Sequence, residues 1–281
     1  MEDDTISPWG TYRLNRFLYL WLKLCHSIPP WPLLKMPVLW LRKPLKHIIK
    51  GPVDTVIWGL KLRIWSRGNL SEQRLLFTPQ FLDNIEREHL KSALKKRATF
   101  VDIGANFGLY SLYAASLNLS GLKVIAIEPD PQLNKRLIYN INNNNIKQIK
   151  VINAAVKAYE SKCYLTQGNK NKGENQVVDS GRIESGAIQI NTIRLEDLLN
   201  KENITNIDYL KIDIEGDDAK VLEDLLTTSN VDLKPTWIIS ESIVSKHDSS
   251  IKNLLLSKNY QITFSTKLNT VYTNRSARLE P

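Results

Sequence analysis

Little in this sequence lends itself to cross-linking or metal binding. Of 281 residues only two are cysteines, Cys25 and Cys163, and only four are histidines. Two cysteines build no disulfide framework, which points to a reducing, cytoplasmic compartment. There is no CxxC pair and no His/Cys cluster with zinc spacing, so no metal is expected. Long apolar runs are missing as well. The most apolar early stretch, Phe17 to Leu24, contains Lys23 and stops short of Pro29-Pro30; a bilayer needs about 20 apolar residues. Glu2, Asp3 and Asp4 stand where a secretory leader would carry positive charge, so no leader is expected. No internal repeat is present.

What is present is unevenly distributed. The net charge is +9. Residues 1–70 hold eleven Lys/Arg against four Asp/Glu, so that +7 of it lies in the first quarter of the chain and the rest is nearly neutral. Trp9, Trp21, Trp31, Trp40, Trp58 and Trp65 also lie there, leaving only Trp237 beyond. This change of composition divides the chain into an extension, residues 1–70, and a larger domain, residues 71–281. Within the extension, residues 11–24 have helical character. Five prolines between positions 29 and 44 should break any long helix there. Alternation in 53–58 and 60–65 around Gly59 predicts a β-hairpin. Thr78-Pro79 should open a helix reaching about Leu94.

From residue 98 the pattern is regular. ATFVDIG, LKVIAIEP, IKVINAAV, IDYLKIDIEG and TWIISESI read as buried strands. FGLYSLYAASL, PQLNKRLIYNINNNN, LEDLLNKE, DDAKVLEDLLTT and SIKNLLLSKN read as helices. Residues 160–194 look like irregular β structure around the loop GNKNKGEN, and 260–275 like a closing antiparallel pair. Strands alternating with helices imply an α/β fold with a mostly parallel sheet covered on both faces.

Three motifs carry chemistry. The first is Val101-Asp102-Ile103-Gly104-Ala105-Asn106-Phe107-Gly108, at a strand-to-helix turn. Glycines there admit a ligand close to the backbone, and the helix N-terminus offers amide donors and partial positive charge to a carboxylate. Asp102 can accept from a ligand ammonium or an ordered water. The second is Glu128, at the tip of the next strand and twenty residues past Gly108, where an acid can hold both ribose hydroxyls of an adenosine cofactor. A dinucleotide fingerprint would also need glycine at 106 and 109, where Asn106 and Leu109 stand, so NAD does not fit. The third is Lys211-Ile212-Asp213-Ile214-Glu215-Gly216. Asp213 and Glu215 share one side of a strand, and they could supply a general base or, less favoured, a metal pair. Two blander readings stay open: Asp213 only orders its loop, and Asp217-Asp218 only cap the next helix. His247, in the polar loop KHDSS, is a lesser candidate base.

VDIGANFGLYS, AIEPDPQLNKRL, VINAAV and LKIDIEGDDAKVLEDLL, in this order and spacing, resemble the FkbM family of methyltransferases. The resemblance spans roughly residues 72–243 and takes in SEQRLLFTPQFLDNIERE as the family's leader helix. It implies a Rossmann-like class I fold with a seven-stranded sheet, S-adenosylmethionine as donor, and O-methylation of a small molecule or glycan. By resemblance, Asp102, Gly104, Ala105, Asn106 and Gly108 form the methionine-side loop. Glu128 with Pro129 holds the ribose, Asn153-Ala154 lies beside the adenine, and Asp213 with Glu215 forms the acidic cleft. The chain departs from the family at Asp217-Asp218 and at Ser242-Ile243 after Glu241. A non-catalytic scaffold and a nucleic-acid methyltransferase are the competing functions. Against the latter, the catalytic half is nearly neutral and lacks an NPPY-type motif, so no nucleic-acid partner is expected. The basic, tryptophan-rich extension has two readings: peripheral docking on an anionic membrane, or packing on the catalytic domain or across a homo-oligomer.

Overall fold

A computed structural model describes residues 4–159, 162–166, 176–179, 187–214, 216–227, 233–242 and 248–277. Its first elements are helices α1 (Arg16–Ser27) and α2 (Pro32–Ile48), the hairpin β1 (Pro52–Ile57) and β2 (Leu60–Trp65), α3 (Leu70–Phe77), a 3-10 turn Pro79–Phe81, and α4 (Asn84–Ala93). There follow β3 (Thr99–Ile103), α5 (Leu109–Ser116), β4 (Lys123–Ile127), α6 (Pro131–Asn143) and β5 (Ile149–Ile152). A β-rich insertion comes next: β6 (Ala155–Val156), β7 (Cys163–Thr166), β8 (Gln176–Asp179), β9 (Ile188–Ile190) and β10 (Thr192–Ile193). The chain then closes with α7 (Leu195–Lys201), β11 (Tyr209–Ile212), α8 (Asp218–Thr227), β12 (Trp237–Glu241), α9 (Asp248–Ser257), β13 (Tyr260–Ser265) and β14 (Asn269–Asn274).

Seven strands form the central sheet in the order β13-β14-β12-β11-β3-β4-β5. β5, β4, β3, β11 and β12 run parallel, and β14 is antiparallel to both of its neighbours. The period-2 alternation of the strands sends Phe100 and Tyr209 to one apolar cluster, and Val101, Ile103, Leu210 and Ile212 to another. A mostly parallel seven-stranded sheet with helices on both faces is the Rossmann-like class I methyltransferase architecture that the resemblance implies. The chain winds outward from β3 to β5, then crosses back to β11 and winds the other way. The crevice beyond the carboxyl ends of β3 and β11 is therefore the switch point where such sheets bind ligands.

The amino-terminal helices differ from expectation. The proline-rich segment does not break; α2 is one helix of 17 residues that runs through Pro37 and Pro44. Both prolines lie on its exposed side, while Val38, Leu41 and Leu45, spaced for one helical face, pack inward. Burial of that face outweighs the lost backbone hydrogen bonds. The single helix expected from Thr78 resolves into the 3-10 turn and α4, because Leu82 is extended and Asp83 left-handed between them. Leu22, Cys25, Leu45 and Ile49 join the same apolar cluster as Phe77, Phe100 and Leu112, so the inner faces of α1 and α2 rest on the catalytic domain. The loop GNKNKGEN lies outside the described residues.

Candidate active site

At the end of β3 the chain turns sharply. The amides of Gly104 and Ala105 both donate to the Ile127 carbonyl, at 2.9 and 3.0 Å. Gly104 has φ +73°, and a Cβ there would run into the backbone carbonyl of Asp213. Gly108 caps α5 at φ +91°, where a Cβ would strike the Leu137 side chain. The sequence reading assigned these glycines to ligand approach. The structure adds a tighter reason, which is that the turn must fit against the loop after β11 and against α6.

Asn106 adopts φ 56° and links three elements. Its amide donates to Glu128 Oε2 at 2.7 Å, and its Oδ1 accepts from the Phe107 amide at 2.8 Å and from Asn69 Nδ2 at 2.6 Å. Asn69 at the same time caps α3 through its Oδ1. Glu128, at the tip of β4, also accepts from the Asp130 amide at 2.9 Å. Burial pushes its carboxyl up to about 7, against the pull of the two backbone donors. Asn153 Nδ2 braces the tip by donating to the Glu128 and Pro129 carbonyls, at 2.9 and 3.0 Å.

One register pair on neighbouring strands, Asp102 and Lys211, places a carboxylate and an ammonium side by side. Asp102 is buried; its Oδ2 accepts from Ser111 Oγ at 2.6 Å, and its Oδ1 has no hydrogen-bond partner among the described residues. Burial raises the Asp102 carboxyl, an effect that Lys211 opposes. For Lys211 burial works against the charge, but Asp213 and Asp102 more than offset it and hold the ammonium above its usual range. Lys211 Nζ donates to Asp213 Oδ2 at 3.2 Å and sits 5.5 Å from the centre of the Tyr110 ring. The Tyr110 hydroxyl donates to Asp83 Oδ2 at 3.1 Å.

These elements surround a cleft that opens to solvent. Of the residues singled out in the sequence, Gly104, Asn106, Glu128, Pro129, Ala154 and Asp213 line it. Asp102, Ala105, Gly108 and Asn153 stand behind the wall and shape it. Glu215 and His247 lie outside the described residues. The sequence reading missed Lys157 and Asp217, which pair on the cavity wall, and also Lys211, Tyr110, Asp83 and Asn69. Asp217 is thus more than a cap; its carboxyl, disfavoured by burial, is held below its usual range by Lys157 and Lys220. Asp218, by contrast, folds the loop by accepting from the Ile214 and Gly216 amides. Lysine inside the strand motif Tyr209-Leu210-Lys211-Ile212 was the one available signal for the buried network. The residues fit an adenosine donor carrying an amino-acid end: Gly104, Asn106 and the raised Glu128 carboxyl line the cleft, and the buried Asp102 Oδ1, without a hydrogen-bond partner among the described residues, stands behind the loop.

Residues 102–261 match the methyltransferase FkbM domain. The AMB antimetabolite synthetase AmbE of Pseudomonas aeruginosa is 24% identical over 190 residues, a match covering 55% of this chain and 9% of that much longer protein. Among solved structures, the precorrin-6y C5,15-methyltransferase of Geobacter metallireducens is similar with TM-score 0.43 at 12% identity, covering 66% of this chain and 86% of its own. The methyltransferase domain of METTL16 is similar with TM-score 0.46 at 19% identity, over 76% and 73%. M. jannaschii TYW2 in complex with AdoMet is similar with TM-score 0.40 at 12% identity, over 80% and 88%. The matched domain takes in the loop after β3, the acid at the tip of β4 and the acidic turn after β11, and this chain belongs to the FkbM family of S-adenosylmethionine-dependent methyltransferases.

Proposed function

We propose that the enzyme methylates a hydroxyl oxygen on a sugar, glycan or other small molecule. S-adenosylmethionine supplies a sulfonium methyl group open to in-line displacement by the acceptor oxygen. Glu128 holds the ribose hydroxyls, and the loop from Gly104 to Gly108 receives the amino-acid end, with Asp102 Oδ1 accepting from the ammonium or through a water. The observation that carries the acceptor chemistry is Asp213: it is exposed on the cavity wall at the switch point, yet held in place by the buried Lys211. From there its carboxylate takes the proton of the acceptor hydroxyl as the oxygen–methyl bond forms. Transfer of this kind needs alignment and removal of one proton, and a fixed carboxylate provides both. Retention of Glu128, Asp102 and Asp213 together, in donor-site geometry, favours a working enzyme over a scaffold.

The test is calorimetry with S-adenosylhomocysteine together with methyl transfer to a panel of hydroxyl-bearing sugars and small molecules. Glu128→Ala should lose about 1.5–3 kcal/mol of donor affinity. Asp213→Asn should retain donor affinity and lose roughly 10²–10⁴ in turnover on whichever acceptor is found. Wild-type affinity in Glu128→Ala overturns the donor site. Turnover of Asp213→Asn within twofold of wild type removes the base. Methyl label appearing on nitrogen or on RNA overturns the acceptor class.

A further inference from the structure

Helices that only cover a core present one apolar face and one polar face. α1 and α2 present two apolar faces each. Their inner residues, among them Leu22, Cys25, Val38 and Leu45, are fully buried. Their outer residues are equally apolar and stand in water: Phe17, Leu20 and Leu24 on α1, and Leu33, Met36 and Trp40 on α2, with Trp31 at the head of α2. Leu33 is 90% exposed, Trp40 71% and Phe17 69%. On each helix these positions follow a spacing of three and four, so each set forms a stripe. The two helices are neighbours, joined where Trp21 Nε1 donates to the Leu41 carbonyl at 3.1 Å.

Charge identifies what such a surface meets. Between Thr5 and Val53 the chain has eight Lys/Arg and no Asp/Glu. None of the eight forms an ion pair among the described residues. Lys35 and Arg42 of α2, together with Arg74 and Lys267, line a cavity of about 330 Å³ in which Asp83 is the one acid. Arg42 is half-buried there, and burial and the adjacent Arg74 both work against its charge. An anion entering the cavity relieves that repulsion. Among the described residues no helix is long and apolar enough to cross a membrane, so the stripes cannot be explained by insertion as a span.

We propose that the outer face of α1 and α2 docks on the surface of an anionic lipid bilayer, with Phe17, Leu20, Leu24, Trp31, Leu33, Met36 and Trp40 sunk among the acyl chains and the surrounding cations on the headgroups. Tryptophan at the interface, cations on phosphates and a shallow apolar stripe are what an in-plane helix requires. The cationic cavity seats a headgroup phosphate at the edge of this face. It also borders Asp83, which reaches Lys211 and Asp213 through Tyr110, so the docked face adjoins the acceptor side of the catalytic cleft. This proposal does not depend on the identity of the acceptor.

The experiment is flotation of the full-length protein with vesicles of phosphatidylcholine and phosphatidylglycerol, and with phosphatidylcholine alone, at low and high salt. The protein should float with the phosphatidylglycerol vesicles, less so at high salt, and not with phosphatidylcholine alone. The double variant Leu33→Glu/Trp40→Glu changes two exposed side chains outside the apolar cluster. It should bind roughly tenfold or more weakly, with wild-type thermal unfolding and wild-type affinity for S-adenosylhomocysteine. Should that variant fail to fold, Lys35→Glu/Lys43→Glu replaces it, with the same loss expected. No flotation of the wild type, or flotation unchanged in the folded variant, overturns the proposal. So does a wild-type dimer, seen by light scattering, that Leu33→Glu/Trp40→Glu splits while neither protein floats; a second copy would then be the occupant.

Discussion

Glu128 is the residue whose two tasks conflict. The proposed donor contact calls for a carboxylate, yet Glu128 is buried at the tip of β4 and its carboxyl is raised to about 7. The folded state therefore holds a proton that the unfolded chain, near its ordinary value of 4.5, has already released. Where the folded state binds more protons, stability falls as pH rises. The contribution from Glu128 is therefore greatest below about pH 4.5 and is lost as the pH climbs to about 7, on the order of 3 kcal/mol across that window. Urea unfolding of ligand-free wild type and Glu128→Gln at pH 5 and pH 8 measures it. Wild type should lose more stability between the two than the variant does, and equal losses would show that the buried carboxyl is not the titrating group. Gly104 gives a second residue-level lesson. Gly104→Val would test a donor site if the glycine served only the ligand; because the space for a Cβ is taken by the Asp213 carbonyl, that variant should misfold the loop first.

At the level of elements, α3 is tied to the loop after β3 by one side chain. Asn69 caps α3 with its Oδ1 and donates its amide to Asn106. Asn69→Ala should cost about 1 kcal/mol of stability for the cap. It should also lower affinity for S-adenosylhomocysteine severalfold, since Asn106 then loses a partner holding its positive φ. A loss of stability with unchanged affinity would mean that the loop keeps its shape unaided. α2 offers the opposite sign. Pro44 lies on the exposed side of the helix and cannot donate to the Trp40 carbonyl one turn back. Pro44→Ala restores that bond and should stabilise the protein by about 1–2 kcal/mol, after allowing for the greater freedom of the unfolded chain. A fall in melting temperature would show that the proline's shape is needed where it stands.

For the molecule as a whole, the amino-terminal segment and the sheet share one core. The buried Arg63 guanidinium, paired with Asp54 at 2.7 Å, donates to the carbonyls of Asp4, Ser7 and Pro8 at 3.1, 3.0 and 2.8 Å. The Tyr139 hydroxyl on α6 donates to the Ser7 carbonyl at 2.9 Å. Buried Arg136 and Glu72 pair between α6 and α3, with the guanidinium against Trp65. Removing residues 1–50 strips three acceptors from a buried cation and uncovers the apolar cluster that Leu22, Cys25, Leu45 and Ile49 complete. The truncated protein should aggregate or lose cooperative unfolding, because lost hydrogen bonds to a buried cation and an open core are both costly. Size-exclusion chromatography and a thermal melt decide it; a monomeric, cooperatively folding truncation with wild-type donor affinity would show the catalytic domain to be independent.

Much of the cavity wall could be read from the sequence because the features that build it are local. The buried strand before Gly104, the turn that follows, the acid at the tip of β4 and the acidic turn after β11 each lie within a few residues, where the strand period, glycine conformation and helix start are set by near neighbours. The alternation of strands and helices likewise implied the parallel sheet. Side-chain meetings across long stretches of chain could not be read. Asn69 reaches Asn106, Lys157 reaches Asp217, and Asp102 meets Lys211 only because β3 and β11 are paired in a particular register. Local rules also misjudged α2: proline's cost is a property of the helix alone, whereas the burial that overrides it belongs to the core beneath. The sequence by itself determined the strand-to-helix turn at Gly104 and the class of fold. Only the tertiary structure decided which charges share the low-dielectric interior with Asp102, and which apolar side chains of the first two helices are left facing water, since both depend on what packs against what.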